Sequence, residues 1–169
     1  MKLYFLRHGI AVDRSSPGDD ESRPLTKAGR HRVTRIARAI SKLELGIESI
    51  VSSPMLRALQ TAQVMARMLG LEHRMDVDAS LTHGFDAVAL NQLLMARNKV
   101  NALMLVGHEP DFSRTICQLI GGGRLRLKKA GFARVDIDLA KPNCAELVCL
   151  APPKVLLDLG SSRKRASKT

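Results

Sequence analysis

The chain has 169 residues, of which 45% are hydrophobic and 3% aromatic, enough for one domain with a buried aliphatic core, expected over residues 1–160. Its 27 lysines and arginines against 16 acids give a formal net charge of +11, which favours anionic partners: phosphorylated substrates, acidic proteins or nucleic acid. No apolar run approaches the ~20 residues of a membrane-spanning helix. Because Arg7 also interrupts the first apolar run, we expect neither a membrane protein nor a signal peptide.

The first predicted unit is a strand followed by a helix. A run of β-forming apolar residues predicts a strand over 2–7, and a polar loop with turn-forming residues follows over 9–24. Thr26 is a typical N-cap for the helix, which we expect to end at Gly46. The buried face of this helix is predicted from residues at helical spacing, namely Val33, Ile36, Ala37, Ile40 and Leu43.

A second strand and helix follow. Residues 47–52 form a short segment that contains β-branched side chains, which is typical of a strand. Ser53 and Pro54 predict a helix start, with Ser53 as the N-cap and Pro54 at the first helical position. Gly70 is expected to end this helix.

The remaining elements continue the alternation of strands and helices. Asp86 is expected to cap a helix over 87–97, and the apolar run 102–106 predicts a strand buried on both faces. The other predicted elements are a short strand in 71–78, a helix after Pro110 that is broken by the glycines 121–123, strands over 133–139 and 145–150, and a helical turn over 154–159. This order predicts an α/β fold of three layers, with a mostly parallel sheet between helices on both faces.

The end of the chain and the cysteines carry less information. Residues 161–169 are basic and serine-rich, so we expect a disordered tail. The three cysteines, Cys117, Cys144 and Cys149, match no zinc-ligand spacing. They are therefore expected to be buried, reduced thiols, as in a cytoplasmic protein.

Two histidines occupy equivalent positions after predicted strands. His8 follows the first strand and precedes Gly9, and His108 follows the strand over 102–106 and Gly107. The carboxyl ends of parallel strands meet at one edge of a sheet, where open α/β proteins bind their ligands. We therefore expect the two rings to lie close together, with Arg7 beside them.

Arg57 is a further candidate for this site. It lies in the first turn of the helix predicted from Ser53, where free N–H groups and the helix dipole favour a phosphate. A guanidinium there binds two phosphate oxygens at once. No acid occupies position 53 or 61 to pair with it along the helix, so an anion-binding role is favoured over a surface ion pair.

At this point the chain resembles the histidine phosphatase superfamily, the phosphoglycerate mutase-like enzymes with an Arg-His-Gly motif. The resemblance covers residues 2–150 and depends on three blocks in order: residues 7–9, 52–62 and 106–110. The short chain and the sequence of residues 23–29, Arg-Pro-Leu-Thr-Lys-Ala-Gly, are most similar to the small SixA-type protein phosphohistidine phosphatases.

The resemblance implies roles for four residues. His8 would be the nucleophile that becomes phosphorylated, and Arg7, Arg57 and His108 would bind the phosphoryl oxygens, without a metal or cofactor. Attack by His8 requires one neutral ring nitrogen, and the other is expected to donate to a backbone carbonyl. The two arginines would push His108 toward neutrality, and a bound phosphate would restore its charge.

The chain departs from the wider superfamily at the general acid, which is commonly a carboxylate. Asp13, Asp86 and Glu109 are better assigned to loops or caps, which leaves His83, in the loop 81–84, as a possible auxiliary residue. An imidazole leaving group, with a pKa of ~6.5, departs with little help from an acid. The missing acid and the lack of a long insertion therefore favour an open site for a protein-borne phosphohistidine.

Three functions stay open on the sequence. The first is dephosphorylation of a phosphohistidine protein in a phosphorelay or phosphotransferase system. The second is a broad phosphomonoesterase acting on small metabolites. The third is a non-catalytic binder of anions or nucleic acid, suggested by the basic segments 124–129 and 163–168. The scarcity of aromatic side chains for base stacking disfavours nucleic acid, and 124–129 is expected to be a solvated loop that could also dock an acidic protein.

Overall fold

The computed structural model describes residues 1–13, 20–138 and 145–161. Within these ranges the strands are β1 (Lys2–Arg7), β2 (Ser49–Ser52), β3 (Met75–Val77), β4 (Ala102–Gly107), β5 (Phe132–Asp136) and β6 (Glu146–Ala151). The α-helices are α1 (Lys27–Ser41), α2 (Leu56–Leu69), α3 (Ala87–Met95), α4 (Asp111–Leu119) and α5 (Pro153–Ser161). Two short 3₁₀ helices cover Glu72–Arg74 and Ala79–Leu81.

The strands form one mixed sheet in the order β3-β2-β4-β1-β5-β6. The first four are parallel, whereas β5 and β6 pair antiparallel. The mostly parallel α/β sheet predicted from the sequence is therefore confirmed.

The central strands are buried on both faces of the sheet. In β1, Tyr4 and Leu6 pack into one hydrophobic cluster together with α1, α2 and α5. Leu3 and Phe5 point to the opposite face and pack with α3 and α4. Because successive residues of a strand alternate between faces, one continuous apolar run contributes to two cores, and the three-layer arrangement is confirmed.

Two predicted helix caps are present. Thr26 Oγ1 accepts a hydrogen bond from Gly29 N at 2.9 Å at the start of α1. Asp86 Oδ1 accepts one from Ala89 N, also at 2.9 Å, at the start of α3. Each side chain satisfies a backbone donor that the first helical turn leaves free.

Two helix boundaries differ from the prediction. α2 begins at Leu56 rather than at Pro54, because Ser53 and Pro54 form a turn in which Ser53 Oγ accepts from Met55 N at 3.3 Å. α1 ends at Ser41, before Gly46, so Leu43 lies in the following turn and is 43% exposed. The expectation that Leu43 belongs to the buried face was wrong, because the helical period stops before it.

The register of the parallel strands determines which residues lie together at the edge of the sheet where ligands are expected to bind. Arg7 of β1 is paired with Gly107 of β4, and His8 N donates to Gly107 O at 3.0 Å. Ser53, which follows β2, donates its N–H to Val106 O of β4 at 2.9 Å. Gly107 is required here, since a Cβ would lie 2.6 Å from the Phe112 ring. The ends of β1, β4 and β2 thus meet at one edge.

The cysteines are less buried than expected. Cys117 and Cys149 are free and partly exposed, because Cys117 lines a surface groove beside α4 and Cys149 lies on β6 at the edge of the sheet. Cys144 and the predicted tail from residue 162 onward lie outside the described residues, whereas Ser161 ends α5. No helix in the described part of the chain has the length and hydropathy to cross a membrane.

Candidate active site

His8 lies at the end of β1 with its ring held in one orientation. The side chain is buried, and Nδ1 lies 2.7 Å from Gly9 O. A carbonyl only accepts, so Nδ1 carries the proton and Nε2 keeps its lone pair. Arg57 Nε donates to that Nε2 at 3.3 Å. Burial lowers the pKa of His8 to about 3, aided by Arg57 and Arg7 and opposed by the Gly9 carbonyl, so the ring is neutral.

His108 lies beside His8 at the end of β4. The two ring centroids are 5.2 Å apart. His108 Nε2 lies 2.8 Å from Ser53 Oγ, and Nδ1 is buried with no partner among the described residues. Burial lowers the pKa of His108 to about 3, and the neighbouring His8 and Arg57 act in the same direction. Without an anion, His108 is therefore neutral, as expected, although the main cause is burial and only Arg57 of the two arginines contributes.

The two arginines flank the histidines from different elements. Arg57, in the first turn of α2, is 3% exposed. Arg7 ends β1, and its Nη1 donates to Leu127 O at 2.9 Å. Burial is the main cause that lowers the pKa of Arg7, and Arg126 and Arg57 add to it. The structure therefore brings Arg7, His8, Arg57 and His108 together.

Thr61 connects the two sides of the site. Its Oγ1 accepts a hydrogen bond from Gly9 N at 3.1 Å and donates one to Arg57 O at 2.7 Å. The loop after His8 is thereby fixed to the first two turns of α2. A hydroxyl that both donates and accepts can make this connection.

Asp20 is a site residue that the sequence analysis missed. Its Oδ2 accepts from Arg57 Nη2 at 3.0 Å, and its backbone carbonyl accepts from Arg57 Nη1. Its Oδ1 accepts two hydrogen bonds from Arg23, at 2.6 and 3.0 Å. The i,i+3 spacing of Asp20 and Arg23 signals only local order in the loop, and nothing in the sequence points to Arg57, which lies 37 positions away.

Of the other candidate acids, Asp86 and Asp13 lie outside the site as predicted, whereas Glu109 lies at the cleft. Asp86 caps α3, and Asp13 is exposed. Glu109 lines the cleft, but its Oε1 accepts from Ser113 Oγ at 2.7 Å and Leu127 N at 3.3 Å. His83 is 64% exposed at the cleft, with Nε2 at 3.4 Å from Asp20 Oδ2.

These side chains surround a cleft of about 220 Å³. It is lined by Arg7, His8, Ala11, Asp20, Arg23, Arg57, His83, His108, Glu109 and Lys129. The cationic lining suits a small anion, and a neutral imidazole nitrogen faces the same space. Within the described ranges, no three His, Cys, Asp or Glu residues are grouped to hold a metal ion.

Comparisons with known proteins found a matching family model and several similar proteins. The family model of the histidine phosphatase superfamily (branch 1) matches residues 3–82. An uncharacterized protein of Picosynechococcus sp. is 37% identical over 93% of this chain and 99% of its own length. Phosphohistidine phosphatase SixA of Escherichia coli is 29% identical over 72% of this chain and 76% of its own length. A structure of the protein histidine phosphatase SixA complexed with tungstate superposes with a TM-score of 0.81 at 26% identity, covering 92% of this chain and 99% of that one.

Proposed function

This chain belongs to the histidine phosphatase superfamily and is a phosphatase, and we propose that it removes phosphate from a phosphohistidine carried by another protein. The observation that supports this most directly is the state of His8. Its Nδ1 is engaged by Gly9 O at 2.7 Å, and its unprotonated Nε2 faces Arg57 in the cleft. A neutral imidazole nitrogen beside fixed cations is a nucleophile suited to phosphoryl transfer.

The first step transfers the phosphoryl group to His8. The bond from His8 Nε2 to phosphorus forms as the phosphorus–nitrogen bond of the donor breaks. The electron pair of that bond stays on the donor imidazole, which departs neutral when its other nitrogen carries a proton. In our proposal a phosphoryl oxygen takes the place of His8 Nε2 as the acceptor of the Arg57 Nε–H.

The second step hydrolyses phospho-His8. Water attacks phosphorus, the electron pair of the phosphorus–nitrogen bond returns to His8 Nε2, and inorganic phosphate leaves with the proton balance taken up by solvent. The hydrogen bond from Nδ1 to Gly9 O, present without substrate, holds the ring through both steps. No metal or cofactor takes part in the proposed reaction.

Arg7, Arg57 and His108 are proposed to bind the three phosphoryl oxygens. Negative charge spreads over these oxygens in the transition state, so fixed cations around them stabilise it. His108 is neutral without an anion, and a phosphoryl group beside it raises its pKa by favouring the charged form. The related SixA in complex with tungstate shows that this kind of fold takes an oxyanion.

The proposed substrate follows from the chemistry of the leaving group. Asp20, the carboxylate nearest Arg57, accepts hydrogen bonds from two guanidinium groups, so it serves as an acceptor rather than as a proton donor. An imidazole leaving group needs no such donor, because its conjugate acid has a pKa of about 6.5. We place the substrate protein in a cytoplasmic phosphorelay or phosphotransferase system, consistent with the two free thiols described.

A second candidate function, a phosphomonoesterase for small metabolites, is favoured by one observation. Asp20 and the exposed His83 lie 3.4 Å apart at the cleft, and such a pair could protonate an alkoxide. If it does, Asp20→Asn lowers kcat/KM for alkyl phosphates by about 10²-fold and leaves a phosphohistidine protein nearly unaffected. Equal losses on both substrates indicate that Asp20 only positions Arg57. A parallel His83→Gln variant separates loss of the imidazole from loss of the carboxylate.

A substrate panel tests the proposed function. We compare kcat/KM for a phosphohistidine-bearing phosphotransfer domain, p-nitrophenyl phosphate and a set of sugar phosphates under identical conditions. The proposal predicts the highest value for the phosphohistidine protein. Efficient turnover of sugar phosphates with no release of phosphate from phosphohistidine would contradict it and support the metabolite phosphatase.

A further inference from the structure

A second, larger cavity adjoins the active-site cleft. Its volume is about 570 Å³, against about 220 Å³ for the cleft. The two cavities share Arg7 and Glu109 in their linings, so the larger one is a groove that adjoins the active-site cleft. The lining of this basic groove is Arg7, Glu109, Pro110, Ser113, Arg114, Cys117, Gly123, Arg124, Leu125 and Arg126.

The charge of the basic groove is strongly one-sided. Four arginines line it, from β1, α4 and the segment after α4, while Glu109 is the one carboxylate among its described lining residues. Glu109 already accepts hydrogen bonds from Ser113 and Leu127. Arg114 is 71% exposed and lies 3.9 Å from Asp111, which is a weak contact. The groove therefore presents exposed positive charge beside the reaction site.

The segment that forms one wall is fixed rather than loosely attached. Leu127 is fully buried, its N–H donates to Ser113 Oγ at 3.2 Å, and its carbonyl accepts from Arg7 Nη1 at 2.9 Å. Leu125 is partly buried against the core, whereas Arg124 and Arg126 are exposed. The leucines of this alternating segment thus anchor the wall to the core, and its arginines expose their guanidinium groups on the other side.

From this arrangement we propose that the basic groove docks an acidic segment of the protein that carries the phosphohistidine. The proposal rests on the proposed function, and it extends that function by assigning a recognition surface away from the phosphoryl group. The cleft around His8 contacts the phosphoryl group, so specificity for a whole protein needs further contacts outside it. Complementary charge at such a rim raises the association rate and favours the correct partner.

Charge reversal in the basic groove, measured on two substrates, tests the proposal. The variant is Arg114→Glu/Arg124→Glu, which leaves Arg126 in place because Arg126 acts electrostatically on Arg7. The matched control is Arg35→Glu/Arg38→Glu, an equal charge change at exposed positions of α1 on the opposite face of the sheet. Activity is followed on a phosphohistidine-bearing phosphotransfer domain and on p-nitrophenyl phosphate, over a range of salt concentrations.

We expect the groove variant to lose about 10-fold or more in kcat/KM on the protein substrate at low salt, through KM, with a weaker salt dependence. Activity on p-nitrophenyl phosphate stays within about twofold of the unmodified chain, since the reacting residues are unchanged. The control keeps both activities. Equal losses on both substrates, no loss on the protein, or an equal loss in the control would each overturn the proposal.

A direct binding measurement separates this proposal from the proposed function. An unphosphorylated acidic peptide, rich in Glu and Asp, is titrated onto the unmodified protein and the groove variant. Binding that the groove variant loses supports the docking surface even if no phosphohistidine protein is turned over, in which case the proposed function fails alone. Absence of peptide binding to the unmodified protein overturns the acidic-protein assignment, as does binding of a DNA oligonucleotide where the acidic peptide does not bind.

Discussion

His8 and His108 occupy the same position on neighbouring parallel strands, but their rings have different partners. His8 Nδ1 faces a backbone carbonyl, Gly9 O, whereas His108 Nε2 faces a hydroxyl, Ser53 Oγ. A carbonyl accepts only, so it fixes one tautomer of His8, while a hydroxyl donates or accepts. His108 can therefore gain or lose a proton without losing its partner.

This difference separates a nucleophile from an anion-binding group. His8 keeps a lone pair at Nε2 because the proton is held at Nδ1. His108 has a buried Nδ1 with no partner among the described residues, so a phosphoryl oxygen that reaches it satisfies an otherwise unpaired atom. Similar burial thus gives two histidines different chemistry through the atom that each ring faces.

Alanine substitution should produce the largest contrast between the two histidines. His8→Ala is expected to lower kcat by about 10⁴-fold or more, because it removes the nucleophile. His108→Ala is expected to cost about 10²–10³-fold, as for loss of one group that stabilises transition-state charge. Steady-state rates on a phosphohistidine protein measure both. Equal losses, or a His8→Ala variant with more than about 1% of the activity, would contradict the separate roles.

Acid sensitivity of folding should reveal the two buried neutral rings. Both histidines have folded-state pKa values of about 3, below the unfolded value of about 6.5. Protonation therefore favours the unfolded chain, and the stability present above pH 6.5 is lost as the pH falls toward 3. Between pH 7 and 5 each ring should account for a loss of about 2 kcal/mol in the free energy of unfolding.

The measurement is urea unfolding of the unmodified chain, His8→Asn and His108→Asn at pH 7 and pH 5. Each variant should lose less stability on acidification than the unmodified chain. For each protein the free energy of unfolding at pH 7 is the reference, so that any pH-independent effect of the substitution on stability cancels. If both variants lose as much unfolding free energy between pH 7 and pH 5 as the unmodified chain does, the rings are not buried in the neutral form.

Ser53→Ala should produce a smaller effect, on His108 and on the turn before α2, where Ser53 Oγ also accepts a hydrogen bond from Met55 N. Removing the hydroxyl leaves a buried ring nitrogen without its partner, which costs about 1–3 kcal/mol of stability. It should also weaken the affinity for inorganic phosphate as a competitive inhibitor about 5–10-fold, because the charged form of His108 loses a hydrogen bond. The rate of phosphoenzyme formation at saturating substrate should change less. Retention of the full phosphate affinity would contradict a role for Ser53 in holding the charged ring.

Much of this site is visible in the sequence because strands bury apolar runs. His8 follows the strand predicted over 2–7, and His108 follows the run 102–106 after Gly107; parallel pairing then places both at one edge. Arg57 is predicted from its place in the first turn of α2, even though α2 begins at Leu56 instead of Pro54. Local pattern and sheet topology were sufficient for these positions.

The remaining features depend on contacts between distant parts of the chain. The link between Asp20 and Arg57, and that between Thr61 and Gly9, join segments with no periodic relationship. Leu43 continues the apolar spacing of α1 but lies beyond the end of that helix. Spacing predicts which face of a helix is buried, whereas the end of the helix depends on where the chain must turn toward the next strand.

The most direct test of the central proposal is to locate the phosphate during turnover. The protein is mixed with excess phosphohistidine-bearing phosphotransfer domain, quenched at alkaline pH to preserve phosphohistidine, and mapped by mass spectrometry. We predict phosphate on His8, absent in His8→Ala. Phosphate on His108 or His83, or turnover without any phosphoenzyme, would contradict the proposal.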